Sequence, residues 1–334
     1  MKTTIRKAKA KLHMLFTKYA GERNENRVRV LFANVARRKA KRFTDLMREQ
    51  QELWLSDPTY NEWDGSSKLL IKERAKQLGC PIPDTYLVCD SVSDLDFSNL
   101  PNRYVIKPSH MGGGRGVFVI NEGKDVLTGQ KIDEEVVRAE LKDSLVRRQL
   151  GFHRESYSSL KPSIFAEELL PNEHGEFGVH IDYKVHLFHG RACLIRVSLG
   201  GAFQTEEHPD RFANCFTRDW QPIDYDEIIF DSHPRNYKLL PTPSHLDDLI
   251  LWSERIAQMA NKPFIRVDFF RTPSGFVLGE CTLRPGRLRD KRITPFADRY
   301  MGRLWQYPEL VDNAFDPVVV RNSDLAPLCP PGFQ

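Results

Sequence analysis

Apolar residues in the first fifty positions recur at helical spacing: Leu12, Leu15 and Phe16, then Val28, Leu31, Phe32 and Val35. That recurrence predicts two basic helices, broken near Gly21. Asp57-Pro58 and Asp64-Gly65 mark loops. A further helix is expected from Ser67 to Leu78, with Gly79 as its stop and Pro81 just beyond. The pattern then shortens. Thr85 to Cys89, Tyr104 to Lys107 and Val117 to Ile120 read as short strands. Residues 132–150 form a charged amphipathic helix, and Ser163 to Leu170 a strand. Tyr183 to Leu187 and Ala192 to Val197 flank His189-Gly190 as a hairpin. A helix over 245–260 precedes a second hairpin, Phe264 to Phe270 and Gly275 to Cys281. An arginine-rich loop and a last helix near 296–305 follow. Helices interleaved with antiparallel hairpins predict an α+β fold.

Composition adds a boundary. Of 334 residues, 40% are hydrophobic, enough for a sizeable core. No apolar run approaches the ~18 residues of a membrane-spanning helix, and the patch from Leu12 to Phe16 is too short for a signal peptide. A cytoplasmic protein without an integral membrane segment is the expectation. The six cysteines match no zinc spacing and read as reduced. Residues 1–50 hold 15 Lys/Arg against 4 Asp/Glu, and the rest 34 against 41. This asymmetry suggests a basic appendage on a mildly acidic body. It suits an anionic polymer or surface, or is simply a solvated helical face. A nucleic-acid role lacks any recognition module.

The first chemical signal is Val105-Ile-Lys-Pro-Ser-His-Met-Gly-Gly-Gly-Arg-Gly-Val-Phe-Val119. A strand delivers Lys107. Gly112, Gly113, Gly114 and Gly116 follow, and a strand resumes. Glycines let backbone N–H groups close around an anion, and the lysine adds a point charge. Because the loop joins strand to strand, neither the dinucleotide fingerprint nor the Walker loop fits. The bland alternative is a hairpin tip.

The second signal is a pair of carboxylates. Asp268 and Glu280 lie on the two strands of the last hairpin, where they can face each other. Opposed side chains lie roughly 5 Å apart, a distance at which two carboxylates repel unless a cation intervenes. Magnesium takes one or two carboxylates plus phosphates and water. Arg266, two residues before Asp268, points to the same face. A plain Arg266–Glu280 salt bridge is the alternative.

Together these pieces resemble the ATP-grasp superfamily over residues 66 to 305. The resemblance implies ATP clamped between two α+β subdomains under a mobile glycine loop. Residues 1–62 would be a basic helical segment, 63–165 the small subdomain with the lid loop, and 166–334 the large subdomain with metal and acceptor site. Lys68, ahead of a Gly79-Cys-Pro-Ile-Pro83 turn, resembles the first phosphate lysine, and Lys107 the second. Phe165-Ala-Glu-Glu-Leu-Leu170 resembles the adenine-binding linker, with Glu167 and Leu169 at the adenine positions and Glu168 between them. Glu173 and Glu176 are both candidates for the ribose-contacting acid. Asp268 and Glu280 match the metal carboxylates. Thr282 stands where many members have an asparagine for a second metal.

Asp182-Tyr-Lys-Val-His-Leu-Phe-His-Gly190, Arg266-Val-Asp268 and Gly279-Glu-Cys-Thr-Leu-Arg-Pro-Gly286 are similar to the TupA-like branch. That branch is associated with attaching amino acids to surface polysaccharides, as in teichuronopeptide synthesis. The resemblance implies a ligase using ATP and Mg2+, an acyl phosphate, and attack by an amine. Arg266, Lys184 and Arg196 are the expected catalytic cations. Arg284, Arg287 and Arg289, beside the metal strand, are candidates for a substrate carboxylate. His110, next to the loop, is a candidate on the acceptor side and as base. The rivals are an ATP-grasp kinase acting on a hydroxyl and a non-catalytic nucleotide-binding module. A dimer is compatible with the sequence, which leaves the oligomeric state open.

Overall fold

The computed structural model describes residues 40–56, 63, 68–112, 114–146, 162–199, 212–223, 228–229, 240–283, 285 and 293–314. The two helices expected around Gly21 lie outside them. Five helices are described: α1 (Phe43–Ser56), α2 (Lys68–Gln77), α3 (Glu134–Val146), α4 (Leu246–Ala260) and α5 (Pro295–Gln306). The first strands are β1 (Thr85–Cys89), β2 (Arg103–Pro108), β3 (Phe118–Asn121), β4 (Lys124–Asp125) and β5 (Ile164–Glu168). They form one antiparallel sheet in the order β1-β5-β2-β3-β4. Then come β6 (Ile181–Phe188), β7 (Arg191–Leu199), β8 (Ala213–Thr217), β9 (Pro222–Ile223), β10 (Phe264–Thr272) and β11 (Gly275–Thr282). The second sheet runs β11-β10-β6-β7-β8-β9, again antiparallel.

Strand alternation sorts the chemistry onto faces. In the first sheet Ile106, Ile120, Ile164 and Ala166 pack with Val137 and Leu141 of α3. Their neighbours Val105, Lys107, Phe165 and Glu167 take the other face. In the second sheet Val185, Ile195, Val197, Ile265, Val267 and Leu278 pack under α4, joined by Ile71 and Ala75 of α2. Its opposite face is divided. Phe188, Leu194, Cys215 and Phe264 meet α1 and α5, while Lys184, Arg196, Arg266 and Asp268 occupy the rest.

α1 packs on α5. The Thr44 N–H and hydroxyl donate to the Asp298 carboxylate at 2.8 and 3.1 Å. Asp298 thus satisfies a donor in the first turn of α1, where no intrahelical acceptor exists. Phe43 is fully buried, 5.0 Å from the Phe264 ring and 5.7 Å from Trp305. A Cβ on Gly302 would lie 2.3 Å from the Lys41 carbonyl, so glycine is what permits this approach. α5 itself starts where Thr294 Oγ1 accepts from the Ala297 N–H, with Pro295 at its first position.

The expected strands and helices appear within a few residues of their sequence bounds, with β6 and β7 longer than read. β4, β8 and β9, and α1 as a helix of its own, are not anticipated from the sequence. The strand on which the expected subdomain boundary falls, β5, lies second from the edge of the first sheet.

Candidate active site

Three lysines and one glutamate meet at the inner face of the first sheet. Glu167 sits across from Val105, and Lys107 across from Phe165, so Lys107 and Glu167 are diagonal neighbours. Lys107 Nζ donates to Glu167 Oε1 at 2.5 Å, and Lys72 Nζ, from α2, donates to Oε2. Both ammoniums lie 5.3 Å from the centroid of the Phe165 ring. Lys68, one helical turn before Lys72, donates to the Met111 carbonyl at the start of the glycine loop. Burial, then the charges of Lys107 and Lys68, lowers the Lys72 pKa, while the Glu167 carboxylate it donates to favours the charged ammonium. Burial, then Lys68, pulls Lys107 down to about 7, against the opposing pull of Glu280. These cations repel one another, and a polyanion would relieve that repulsion.

The second sheet supplies a row that runs straight across its strands. Glu280 of β11 faces Asp268 of β10, Asp268 faces Lys184 of β6, and Lys184 faces Arg196 of β7. Arg266 grips Asp268 with two bonds of 2.6 Å and reaches Thr282 Oγ1 at 3.3 Å. This replaces the Arg266–Glu280 bridge weighed from sequence. Lys184 pairs with Asp182 at 2.5 Å and stands 3.7 Å from Asp268. Among the described residues, no hydrogen bond or ion pair engages the Glu280 carboxylate. His186, opposite Arg266, donates through Nδ1 to the Leu194 carbonyl at 3.3 Å. Burial first, then the Arg266 and Arg196 charges, push its pKa down to about 3, so it is neutral.

A cavity of about 290 Å³ joins the two sheets. Its lining includes Lys107, Gly114 and Glu167 to Leu170 on one side, and Asp182, Phe270 and Glu280 on the other. Gly114 and Gly116 both take positive φ, +76° and +64°, which fits the lid-loop reading of their glycine content. The Glu168 N–H is spent on the Asp84 carbonyl at 2.8 Å.

Not every candidate comes to this cleft. Lys68 and Gly112 are outside the lining, although Lys68 holds the loop's base. Glu176 is exposed, its backbone bonded to Asn172 in a turn, while Glu173 pairs with Arg271 at 2.7 Å. Asp268, Lys184 and Arg196 follow Glu280 along the sheet row without lining the cavity, Thr282 faces Arg266 on the adjacent row, and Arg196 and His110 are buried. Gly113, Arg284, Arg287 and Arg289 lie outside the described residues.

Sequence reasoning missed three residues. Lys72 is four residues after Lys68, the spacing that puts two side chains on one helical face. Asp182 is two residues before Lys184, on the same strand face. His180 lines the cavity, its Nε2 bonded to the Leu170 carbonyl at 2.9 Å and its ring against Phe270. No spacing flags His180.

The two carboxylates suit a magnesium ion. Glu280 opens on the cavity with no hydrogen bond or ion pair to its carboxylate among the described residues, Asp268 is directly across from it, and phosphates and water would complete the shell. No cluster of three or more His, Cys, Asp or Glu able to hold a metal occurs among the described residues. The donor set therefore fits an ion shared with a phosphate and not an all-protein cage.

Two α+β layers closing on a lysine- and carboxylate-lined cleft define an ATP-grasp fold. The chain belongs to the TupA-like ATP-grasp family, whose model matches residues 44–306. None of the curated protein sequences matches it. Solved structures similar to it include D-alanine–D-alanine ligase from Bacillus anthracis complexed with ATP. That match has 14% identity and a TM-score of 0.37, and covers 66% of this chain and 54% of that one. D-alanyl-alanine synthetase A from Vibrio cholerae has 14% identity and a TM-score of 0.39, with coverage of 77% and 63%. The ADP complex of purK, N5-carboxyaminoimidazole ribonucleotide synthetase, has 14% identity and a TM-score of 0.40, with coverage of 67% and 46%. The chain thus spans about half to three fifths of these proteins. No helix among the described residues is long and apolar enough to cross a membrane.

Proposed function

We propose that this protein is an ADP-forming ligase that uses ATP and magnesium to couple a carboxylate to an amine. The observation that carries the reading is the cleft itself, with Lys107 and Glu167 on one wall and, on the other, Glu280 at the head of the Glu280–Asp268–Lys184–Arg196 row. Lys68 and Lys107 hold phosphates, Glu167 to Leu169 frame the base, and the glycine loop excludes water. Asp268 and Glu280 would hold magnesium, which supplies charge neutralisation at the phosphates. Arg266, fixed by Asp268, presents its guanidinium where negative charge develops during phosphoryl and acyl transfer. Lys184 and Arg196 extend that positive field along the sheet and orient the carboxylate. The carboxylate attacks the γ-phosphorus, ADP leaves, and an amine then displaces phosphate from the acyl phosphate.

The substrates we favour are an amino acid and a uronic-acid-bearing polysaccharide or its precursor. Two features support this choice: the family, and a cationic row suited to a carboxylate.

The test is magnesium-dependent ADP release against a panel of amino acids and uronic-acid oligosaccharides, with Lys107→Ala and Glu280→Ala as controls. Equal ADP and phosphate with an amide product, lost in both variants, is the expected result. A stable phosphoester without free phosphate would make the protein a kinase. ATP binding without turnover on any substrate would move it to a nucleotide-binding module.

A further inference from the structure

Glu167 holds two ammoniums where one would neutralise it. Lys107 takes Oε1 and Lys72 takes Oε2, both over the Phe165 ring. Lys72 is 4% exposed and Glu167 5%, so neither charge can be left to solvent. An isolated buried carboxylate is costly, and removing its sole partner costs more than the pair contributed. Lys107 stands at the end of the strand that enters the glycine loop and lines the cavity. A nucleotide's phosphates and Glu167 therefore compete for the same ammonium. Were Lys107 the only partner of Glu167, turning to a phosphate would strand that carboxylate.

The second lysine removes the conflict. Lys72 approaches from α2, takes the carboxylate oxygen that Lys107 does not, and is not among the residues lining the cavity. We propose that Lys72 is a positioning residue of the nucleotide site: it keeps Glu167 neutralised so that Lys107 can leave that carboxylate for the phosphates. This rests on the nucleotide reading above. It adds that α2 contributes two lysines with different tasks, Lys68 beneath the loop and Lys72 on the linker glutamate.

The test is calorimetric titration of MgATP into the full chain, with melting of each unliganded variant alongside. Wild type is expected to bind. Lys72→Met should lose affinity roughly tenfold to a hundredfold, the effect of one charge-assisted hydrogen bond, because Glu167 now retains Lys107. Lys72→Met combined with Glu167→Gln should recover most of that loss, since no carboxylate is left to hold Lys107. Lys72→Arg should stay within about threefold of wild type, the guanidinium keeping the charge. Measured against Glu167→Gln, the double variant should differ by less than about threefold, and this comparison decides the matter if Lys72→Met alone does not fold. Wild-type affinity in Lys72→Met, or the same loss on removing Lys72 whether residue 167 is Glu or Gln, would each overturn the inference. If wild type itself ignored MgATP, the nucleotide reading would fall first and take the inference with it.

Discussion

Asp268 and Glu280 are cross-strand partners, yet Arg266 clamps the first with two bonds of 2.6 Å and leaves the second unengaged among the described residues. The two carboxylates should therefore respond differently to loss of charge. Glu280→Gln keeps the shape and breaks no hydrogen bond or ion pair among the described residues. It should cut magnesium-dependent ADP formation by roughly a hundredfold or more, as loss of a charged transition-state contact does, with a melting temperature near wild type. Asp268→Asn should lose activity and stability together. It leaves a part-buried guanidinium facing a neutral amide, and breaking such a pair from one side costs about 3–5 kcal/mol at most. Steady-state kinetics with thermal melts separates the two. Equal melting temperatures for both variants would refute the asymmetry.

The depressed lysines give two pH dependences of opposite sign. In the unliganded protein burial lowers the pKa of Lys72 and brings that of Lys107 to about 7, from an ordinary 10.5. The unfolded chain therefore binds more protons between about 7 and 10.5, so unliganded stability rises with pH through that window. Nucleotide phosphates favour the charged lysines and raise their pKa, so binding takes up protons above about 7. Affinity for ADP should then fall as pH rises from 7 toward 9, by up to about tenfold per pH unit for one proton. Lys107→Met should flatten that slope. Titration in buffers of different ionisation enthalpy measures the proton uptake directly.

His186 sits beside Arg266 on the catalytic face and has the side chain most often cast as a base. Its pKa of about 3 argues otherwise. It lies far below neutrality, and the ring's Nδ1–H is committed to the Leu194 carbonyl. His186→Gln should leave every limb of the pH–rate profile between 5 and 9 where it is in wild type (tested by profiling both proteins). A lost limb near neutrality would show that His186 exchanges a proton during turnover.

Much of this candidate site is legible in the sequence, because its signals are local. The lysine before the glycine loop and the carboxylates at matching positions of a hairpin follow from spacing alone. Register then makes Asp268 and Glu280 partners, as the hairpin pattern required. What was not legible depends on contacts between segments far apart in the chain. Lys72 reads as one more exposed helical lysine until α2 is laid against Glu167, 95 residues on. β8, Ala-Asn-Cys-Phe-Thr, lacks a clean alternation and becomes a strand only because β7 offers an edge beside it. The basic start of the chain suggested an appendage, and charge counting alone could not reveal that Phe43 fills a ring-lined slot against Phe264 and Trp305.

That slot leads to a prediction about how the chain's early residues bear on the catalytic face. α1 and α5 cover the apolar half of the second sheet, whose other half carries Arg266 and Asp268. Asp298 ties them by accepting two hydrogen bonds from Thr44. Gln50, further along α1, donates to the Leu283 carbonyl at 3.4 Å, one residue past the Thr282 that Arg266 reaches. Asp298→Ala removes the acceptor of a first-turn N–H and should cost about 1–3 kcal/mol. Gly302→Ala meets the Lys41 carbonyl at 2.3 Å, so α1 must shift or detach. If α1 supports the acceptor strand, both substitutions should lower turnover with the amine while nucleotide affinity holds, because the lysine wall belongs to the other sheet. Denaturant melts, MgATP titration and amine-dependent turnover on the same variants make the comparison. Full activity in a destabilised Gly302→Ala protein would confine α1 to holding the core together.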